Sequence, residues 1–588
     1  MEYQQPAKRL FVINLLIGML MSILAVRLWQ LQVLQGGYYL RQSEENRIRD
    51  YTLSAPRGII YDRKGRPLVS NRPSFTVAVL PLELQDPPRV VARLASILGI
   101  TPEEITHRVE ANRLRLFEPV RIKRDVGAAI VTLIEENRLD LPGVVILVEP
   151  VRHYLHDKIA AHVLGYLGEI DVDDLAARRS EGYRPGDLIG KAGVERATEA
   201  VLRGIDGRMR VEVDALGRPL RILSRVPAVP GRPLALTLDL DVQRAAYDAL
   251  QASGLGAGAA IAMDPRSGDI LAMVSLPSYD PNQFAMGIGS TAWQAITADQ
   301  RKPLLNRALG ATYEPGSVFK LVTATAALDR GIVSRRTMFD APGYFQLGQW
   351  IFRDLKAWGR IDFITGIANS VNVVFYTLGY RLGGEELANY ALLMGLGEPT
   401  GIDLPGEING IIPRPSTKEQ LVGEPWYPGD AVNMSIGQGA ITVTPIQVAR
   451  MVTGIANGGQ LVQPHVLLLT YDRDRTEHRV DPVMQRVVPY RPESLAVLQE
   501  GMRAVVDRGS GAGARIEGLP MAGKTGSAEN PRGRPHAWFA GYAPLDAPRL
   551  VVVAFVEHGF RGGIAAAPVA RAIFQTAFSP AVDQETGR

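Results

Sequence analysis

Three short motifs fall in order along the second half of a 588-residue chain: Ser317-Val318-Phe319-Lys320, Ser370-Val371-Asn372 and Lys524-Thr525-Gly526-Ser527. The first offers a serine nucleophile with a lysine three residues on, on the same helical face and within reach of the hydroxyl. To act as a base that amine must lose its proton near neutral pH, which burial or a neighbouring cation such as Lys524 would bring about. The second supplies a hydroxyl that relays a proton and an amide that orients a lysine or a carbonyl. In the third, Lys524 and Thr525 suit a carboxylate, and Gly526 allows a substrate backbone to approach closely. The backbone amides of Ser317 and Ser527 are candidates for an oxyanion hole. Together these groups equip acyl transfer at the C-terminal end of a peptide.

Each motif alone is weak. A Ser-x-x-Lys pair arises by chance about once in a chain of this length. Ser370-Val371-Asn372 alone reads more readily as a turn or cap. Their settings sharpen them. Glu314-Pro315-Gly316 breaks the chain, and Ser317 through Leu328 continues without Gly or Pro, so the serine is expected in a first helical turn, where the dipole favours negative charge. Gly256–Asp264 and Ile270–Ser275 read as strands around a turn at Asp264–Asp269. Arg515–Ala528, His536–Tyr542 and Leu550–Val556 read as three more, with a closing helix over 566–578. The middle is helical. A sheet built from both ends of this region, packed against a helical lobe, must therefore position the motifs.

A chain this long exceeds one core, so two or more domains are expected. A hydrophobic share of 46% excludes disorder, and a net charge of +4 without a basic cluster argues against nucleic acid binding. With no cysteine there are no disulfides, iron–sulfur clusters or thiolate zinc sites. The run Leu10–Val26 is 17 apolar residues, continuing to Leu34 past Arg27 and Trp29, with Lys8 and Arg9 before it. It predicts a signal anchor over 10–34, with residues 1–9 cytoplasmic and the rest outside the cytoplasm. No small-x-small cleavage pattern follows it.

Residues 35–232 read as a separate unit without a nucleophile–base pair. Arg57 to Val69 looks like a hairpin with a turn ending at Gly65. Val90-Val91-Leu94-Ile97-Leu98 has helical spacing, and Thr101-Pro102-Glu103-Glu104 resembles a helix start. Another helix is expected from Gly190 to Leu202. His153, His156 and His162 are close in sequence but lack the spacing of a zinc site, so they read as polar or packing residues. Pro227, Pro230 and Gly231 place a boundary near residue 233, with the second domain running to 580 and a tail over 581–588.

The three motifs in this order resemble those of the penicillin-binding transpeptidases and serine β-lactamases. Ser370 follows Ser317 by 53 residues and Lys524 follows Ser370 by 154, and these separations resemble the transpeptidases. Tyr313-Glu314-Pro315-Gly316, the hairpin at Arg57–Gly65, Gly193-Val194-Glu195 and His536 to Pro544 extend the likeness over nearly the whole chain. The anchor and the non-catalytic second domain are similar to class B penicillin-binding proteins. Pro425-Trp426-Tyr427-Pro428-Gly429-Asp430, Ser435-Ile436-Gly437-Gln438-Gly439 and Thr444-Pro445-Ile446-Gln447 resemble the elongation enzymes within that class, the division enzyme being the alternative.

The resemblance implies a multidomain protein: one transmembrane helix, an α+β pedestal or dimerisation-like domain, and an α/β transpeptidase domain with a mostly antiparallel sheet sandwiched by helices. It implies peptidoglycan cross-linking beside a RodA-like SEDS glycan polymerase and rod-shape scaffold membrane proteins, with stem peptides as substrates and β-lactams as inhibitors. Ser317 would attack the carbonyl between two terminal D-alanines, Lys320 take its proton, Ser370 pass a proton to the departing D-alanine and Asn372 position the substrate. Lys524 and Thr525 would bind the terminal carboxylate. The family also implies that the first domain carries activation to the polymerase. Some elongation-type relatives hold zinc through cysteine and histidine; the region from Phe339 to Val371 has neither, so no zinc and no cofactor is expected. Ser527 stands where threonine is commoner. A hydrolase, an idle scaffold that activates a polymerase and a β-lactam sensor are the other readings. The first lacks an evident deacylating glutamate, and the last lacks a cytoplasmic signalling domain.

Overall fold

The structure, a computed structural model, describes residues 5–39, 48–111, 119–213, 219–285, 287–474, 476–530 and 533–579. The expected tail over 581–588 and the first four residues lie outside that description. Helix α1, Gln5–Trp29, continues into a π-helical turn at Gln30–Leu34. The stretch Leu10–Leu34 is long and apolar enough to cross a membrane, with none of its window buried in protein.

The chain folds as two compact units. One comprises residues 1–56, 73–150 and 204–230; the other comprises 57–72, 151–203 and 231–588. This grouping differs from the linear division expected at residue 233, because two early segments build into the later unit.

In the first unit, Ile48–Leu53, Gly207–Val213 and Pro219–Val226 form an antiparallel sheet in that order. The helix Pro87–Leu98 buries Val90, Val91, Leu94 and Leu98, the residues whose spacing predicted it. They pack with Ile105 of the helix Pro102–Ala111 and with Val120 and Ile122 of the strand Val120–Val126. Thr101 Oγ1 accepts the Glu104 N–H at 3.2 Å, the local bond its helix-start motif promised.

The second unit centres on a five-stranded antiparallel sheet. Its strands are β1 (Gly258–Met263), β2 (Ile270–Leu276), β3 (Ala522–Asn530), β4 (Gly533–Ala543) and β5 (Leu550–Val556), in the order β2-β1-β5-β4-β3. Alternate residues face opposite sides. Ala260, Ala262, Val552 and Ala554 meet α2 (Leu240–Ala252) on one side. Ala259, Ile261, Val551 and Val553 share the other core with Ile446, Val448 and Val452. Burial on both faces explains why these strands read as unbroken apolar runs. The lobe contributes α3 (Lys320–Asp329), α4 (Phe363–Ala368) and α5 (Asn372–Leu393). The sheet layers are completed by α6 (Pro445–Ala456), α7 (Pro492–Arg508) and the closing α8 (Ala567–Phe578).

One strand is shorter than its pattern. The run expected from Arg515 becomes regular only at Ala522, because Gly518 sits at φ +77° and Pro520 follows it.

The early hairpin is present, with Ile60 opposite Val69 and Tyr61 opposite Pro67. Asp62, fully buried, accepts the N–H groups of Lys64 (2.9 Å) and Arg66 (2.8 Å) and so shapes the turn. Ile60–Tyr61 also pairs in parallel with Leu234–Leu236. The Gly190–Leu202 region forms two short helices, Gly193–Ala197 and Glu199–Leu202. Their Glu195 and Glu199 both bind Arg57, at 2.8 and 2.9 Å, and Arg152 Nε donates to Glu195 at 2.7 Å. Tyr183 OH and the Gly190 N–H complete the shell of Glu199. Both carboxylates are buried, so each needs these partners. His162 is a packing residue: its ring stands edge-on to Tyr279, Nε2 is 2.8 Å from Pro303 O, and burial lowers its pKa to about 4.

Candidate active site

Three chain segments close on the serine. Gly316 has φ +52° and donates its N–H to Gly437 O at 3.0 Å, while Gly437 itself sits at φ +74°. A Cβ on Gly437 would lie 2.1 Å from Gly316 O, and one on Gly316 would lie 2.8 Å from Ser527 O. Glycine is required at both positions because backbone meets backbone there. Upstream, Tyr313 pairs with Val443 through both backbone groups, and its hydroxyl donates to Glu557 at 2.7 Å. Trp538 Nε1 donates to Glu314 O at 3.1 Å. The motifs flanking the serine thus hold the turn that presents it.

Ser317 lies in a 3-10 turn, Gly316–Phe319, that runs directly into α3. The sequence placed it in the first α-helical turn; the tighter turn follows from the positive φ of Gly316 just ahead. The first N–H groups of such a turn lack intrahelical partners, which keeps the Ser317 amide available to an oxyanion. Its hydroxyl is half-buried and has no hydrogen bond among the described residues.

Lys320 opens α3 and is 1% exposed. Its Nζ donates to Ser370 O (2.8 Å), Ser370 Oγ (3.2 Å) and Asn372 Oδ1 (2.6 Å), and lies 5.0 Å from the centre of the Phe375 ring. Lys524, fully buried on β3, donates to the same Ser370 Oγ at 2.8 Å and to Thr525 O at 2.9 Å. A hydroxyl oxygen has two lone pairs, so Ser370 accepts both lysines. Ser370 occupies φ +57°, a left-handed conformation unusual for serine, in the link between α4 and α5. The link is pinned by the Val371 N–H on Gly366 O at 2.9 Å. Burial brings the Lys320 pKa down to about 7, a fall opposed only by the charge of Asp354. Burial, then the charge of Lys320, holds Lys524 well below the usual lysine range.

The structure therefore brings Lys320, Ser370, Asn372 and Lys524 into one hydrogen-bonded cluster, with Ser317 one turn ahead of Lys320. Thr525 lies beside it, its hydroxyl sharing a 2.6 Å hydrogen bond with Ser510, and Ser527 is exposed two residues on. Gly526 also meets the serine's own turn. The space its side chain would fill is taken by Trp538 Cβ (3.0 Å), Pro315 O and Val318 Cγ2 (both 3.1 Å), so the glycine admits the serine's own turn. Sequence reasoning missed Ser510, Phe375 and Asp354, which belong to no short motif and arrive from separate elements. The chemistry on offer is a serine beside a buried amine poised near neutrality, with a shared hydroxyl to move protons between two lysines.

Residues 258–575 match the penicillin binding protein transpeptidase domain, and residues 52–236 match the penicillin-binding protein dimerisation domain. The chain belongs to the PBP2-type class B penicillin-binding proteins, the peptidoglycan D,D-transpeptidases. It is 34% identical to the peptidoglycan D,D-transpeptidase MrdA of Acinetobacter baumannii, over 96% of this chain and 86% of that protein. With MrdA of Escherichia coli K12 it shares 32% identity over 94% and 92% of the respective chains. PBP2 in its complex with MreC from Helicobacter pylori superposes with a TM-score of 0.74 at 28% identity, covering 90% of this chain and 98% of that one. A chain of a peptidoglycan synthase complex described as coordinating polymerisation and crosslinking matches at TM-score 0.71 and 34% identity, over 98% of this chain and 99% of that one. The class B penicillin-binding fold thus spans both compact units.

Proposed function

We propose that this protein cross-links peptidoglycan stem peptides during cell elongation through an acyl-enzyme on Ser317. The observation that carries the reading is Ser370 Oγ, bonded at once to Lys320 and Lys524. Neutral Lys320 takes the Ser317 proton as Oγ attacks the carbonyl between the two terminal D-alanines. The backbone amides of Ser317 and Ser527 receive the oxyanion. The C–N bond then breaks, and the proton passes from Lys320 through Ser370 to the departing amine. Asn372 orients the amine of Lys320 and the substrate, while Lys524, Thr525 and Ser527 face the terminal carboxylate. An amine from a neighbouring stem peptide attacks the ester by the reverse proton path. β-Lactams acylate the same serine.

The likeness to a chain of a peptidoglycan synthase complex and to PBP2 bound to MreC supports partnership with a RodA-like SEDS polymerase and with rod-shape scaffold proteins. The span Leu10–Leu34 and the basic residues before it support a single-pass protein of the cytoplasmic membrane, with the bulk of the chain in the periplasm. Residues 35–232 are read as the non-catalytic pedestal that passes activation to the polymerase.

The test is reconstitution of the purified full chain with a polymerase and lipid-linked precursor, followed by mass spectrometry of the muropeptides. Cross-linked dimers that vanish in Ser317→Ala, with fluorescent penicillin labelling lost in parallel, support the reading. Wild-type cross-linking by Ser317→Ala would overturn it.

A further inference from the structure

The helix that begins at Asn372 carries no cap of its own. Val371, its N-cap residue, is apolar and offers no side-chain acceptor. The first N–H groups of a helix need partners from outside it. Here the second residue finds one 19 positions back in the chain: the Val373 N–H donates to Asp354 Oδ2 at 3.1 Å. The other oxygen, Oδ1, accepts the Leu355 N–H at 2.7 Å, and the Asp354 N–H donates to Gly343 O at 2.8 Å. That carboxylate is therefore set in place at the end of the hairpin Tyr344–Leu347 and Trp350–Arg353. One turn along α5, the Tyr376 hydroxyl donates to Arg353 O at 3.4 Å, a second tie between the same two segments.

The position matters because of what the start of α5 carries. Asn372 Oδ1 holds Lys320 at 2.6 Å, Ser370 lies just before it, and Phe375 lies beneath the amine. Anything that shifts this first turn shifts the grip on Lys320. We propose that Asp354 is a positioning residue of the acyl-transfer site: it holds the start of α5 so that Ser370 and Asn372 seat the Lys320 amine, and its charge faces the ammonium formed when that amine takes a proton.

The charge is as specific as the contact. A serine or asparagine cap would satisfy the Val373 N–H equally well. During acylation, however, Lys320 becomes cationic in a buried site that also holds Lys524, and an ammonium there is costly without a nearby anion. Asp354 is the one carboxylate opposing the fall in Lys320 basicity among the described residues. It makes no ion pair with Lys320 there, so it does not trap the amine in its protonated form. The other charged or titratable groups around the pair are Lys524 on β3, Tyr376, which senses both Asp354 and Glu529, and Arg353 and Lys356 beside Asp354 in sequence.

The inference rests on the acyl-transfer reading above, and two variants of the full chain test it separately from that reading. Asp354→Asn removes the charge and keeps an oxygen for the Val373 N–H, its NH2 taking the place of the acceptor of the Leu355 N–H; Asp354→Ala removes the charge and both acceptors. The readout is the second-order rate of acylation by fluorescent penicillin between pH 5.5 and 9. In Asp354→Asn the acid limb is expected to move toward lower pH by about 0.3–1.5 units, the effect of one unit charge across a partly screened gap, with a plateau rate above that of Asp354→Ala. In Asp354→Ala the plateau is also expected to fall at least about tenfold, because a loosened first turn misplaces the base. An acid limb that stays put or moves to higher pH in Asp354→Asn, or a wild-type plateau in Asp354→Ala, overturns the proposal. Failure of the underlying reading looks different: penicillin labelling would then survive in Ser317→Ala.

Discussion

Lys320 and Lys524 meet at a single hydroxyl, their Nζ atoms 3.2 and 2.8 Å from Ser370 Oγ, with neither side chain more than 1% exposed. Two ammonium groups cannot both persist there without water or anions, so the pair titrates as a unit. In the proposed mechanism Ser370 is the conduit between a base for Ser317 and the lysine that faces a carboxylate.

The first consequence is a pH profile. Lys320 serves as a base only when neutral, and burial brings its pKa to about 7. Acylation by fluorescent penicillin should rise with pH through about 7 and level above it. A rate flat from pH 5.5 to 9 would sink the assignment of Lys320 as base.

The same lysine has a stability consequence of defined sign. Its folded value lies below its unfolded value near 10.5, so between about 7 and 10.5 the unfolded chain binds the extra proton and folding strengthens as pH rises. Below that window the penalty is fully present. In Lys320→Met this pH dependence should weaken, with Lys524, also held below the usual lysine range by burial, carrying what remains. Differential scanning calorimetry at pH 7 and pH 10 checks it: the melting temperature of the variant relative to wild type should be higher at pH 7.

Removing the shared hydroxyl should impair chemistry more than folding. Ser370→Ala is expected to lower acylation by about 10²- to 10³-fold, the range for loss of a proton-transfer group. Ser370→Gly should be the more stable of the two variants, because φ +57° suits glycine. Labelling kinetics and melting temperature, measured together, separate the two effects.

Gly437→Ala should disable the site from a distance. The added Cβ would lie 2.1 Å from Gly316 O, and alanine disfavours φ +74°. Displacement of the Ser317 turn is expected to cut penicillin labelling by more than about tenfold and to lower the melting temperature by several degrees. Normal labelling would mean that the 435–439 loop does not hold the nucleophile.

Arg57→Ala leaves two buried glutamates with fewer partners. Breaking such a pair typically costs about 3–5 kcal/mol. The loss should appear as a lower melting temperature, and Glu199→Gln introduced beside Arg57→Ala should recover part of it. Equal melting temperatures for the single and double variants would argue against an ionic cause.

What the sequence made legible was local. The hairpin at residues 57–69 followed from a polar turn ending in Gly65, and the helix Pro87–Leu98 followed from its apolar spacing. Strand β5 matched its apolar run to the residue. Hidden from it were relationships that depend on distant partners. Asp354 reaches Val373 through a hairpin of no distinctive pattern, and Ser510 reaches Thr525 from beyond the end of α7. The close approach of Pro315, Val318 and Trp538 to the side-chain position of Gly526 likewise depends on distant segments. The left-handed backbone of Ser370 has no sequence signal, since serine rarely adopts it.

The parallel pairing of Ile60–Tyr61 with Leu234–Leu236 makes the catalytic half of this chain poorly transplantable. A fragment begun at residue 233 would bare one edge of the strand Leu234–Leu236 and discard Asp62 with its turn. It would also discard Glu195, Glu199 and both of their arginines. Exposed strand edges invite aggregation. An exchange of catalytic halves between relatives would need to carry three pieces together: residues 57–72, 151–203 and everything from 231 onward.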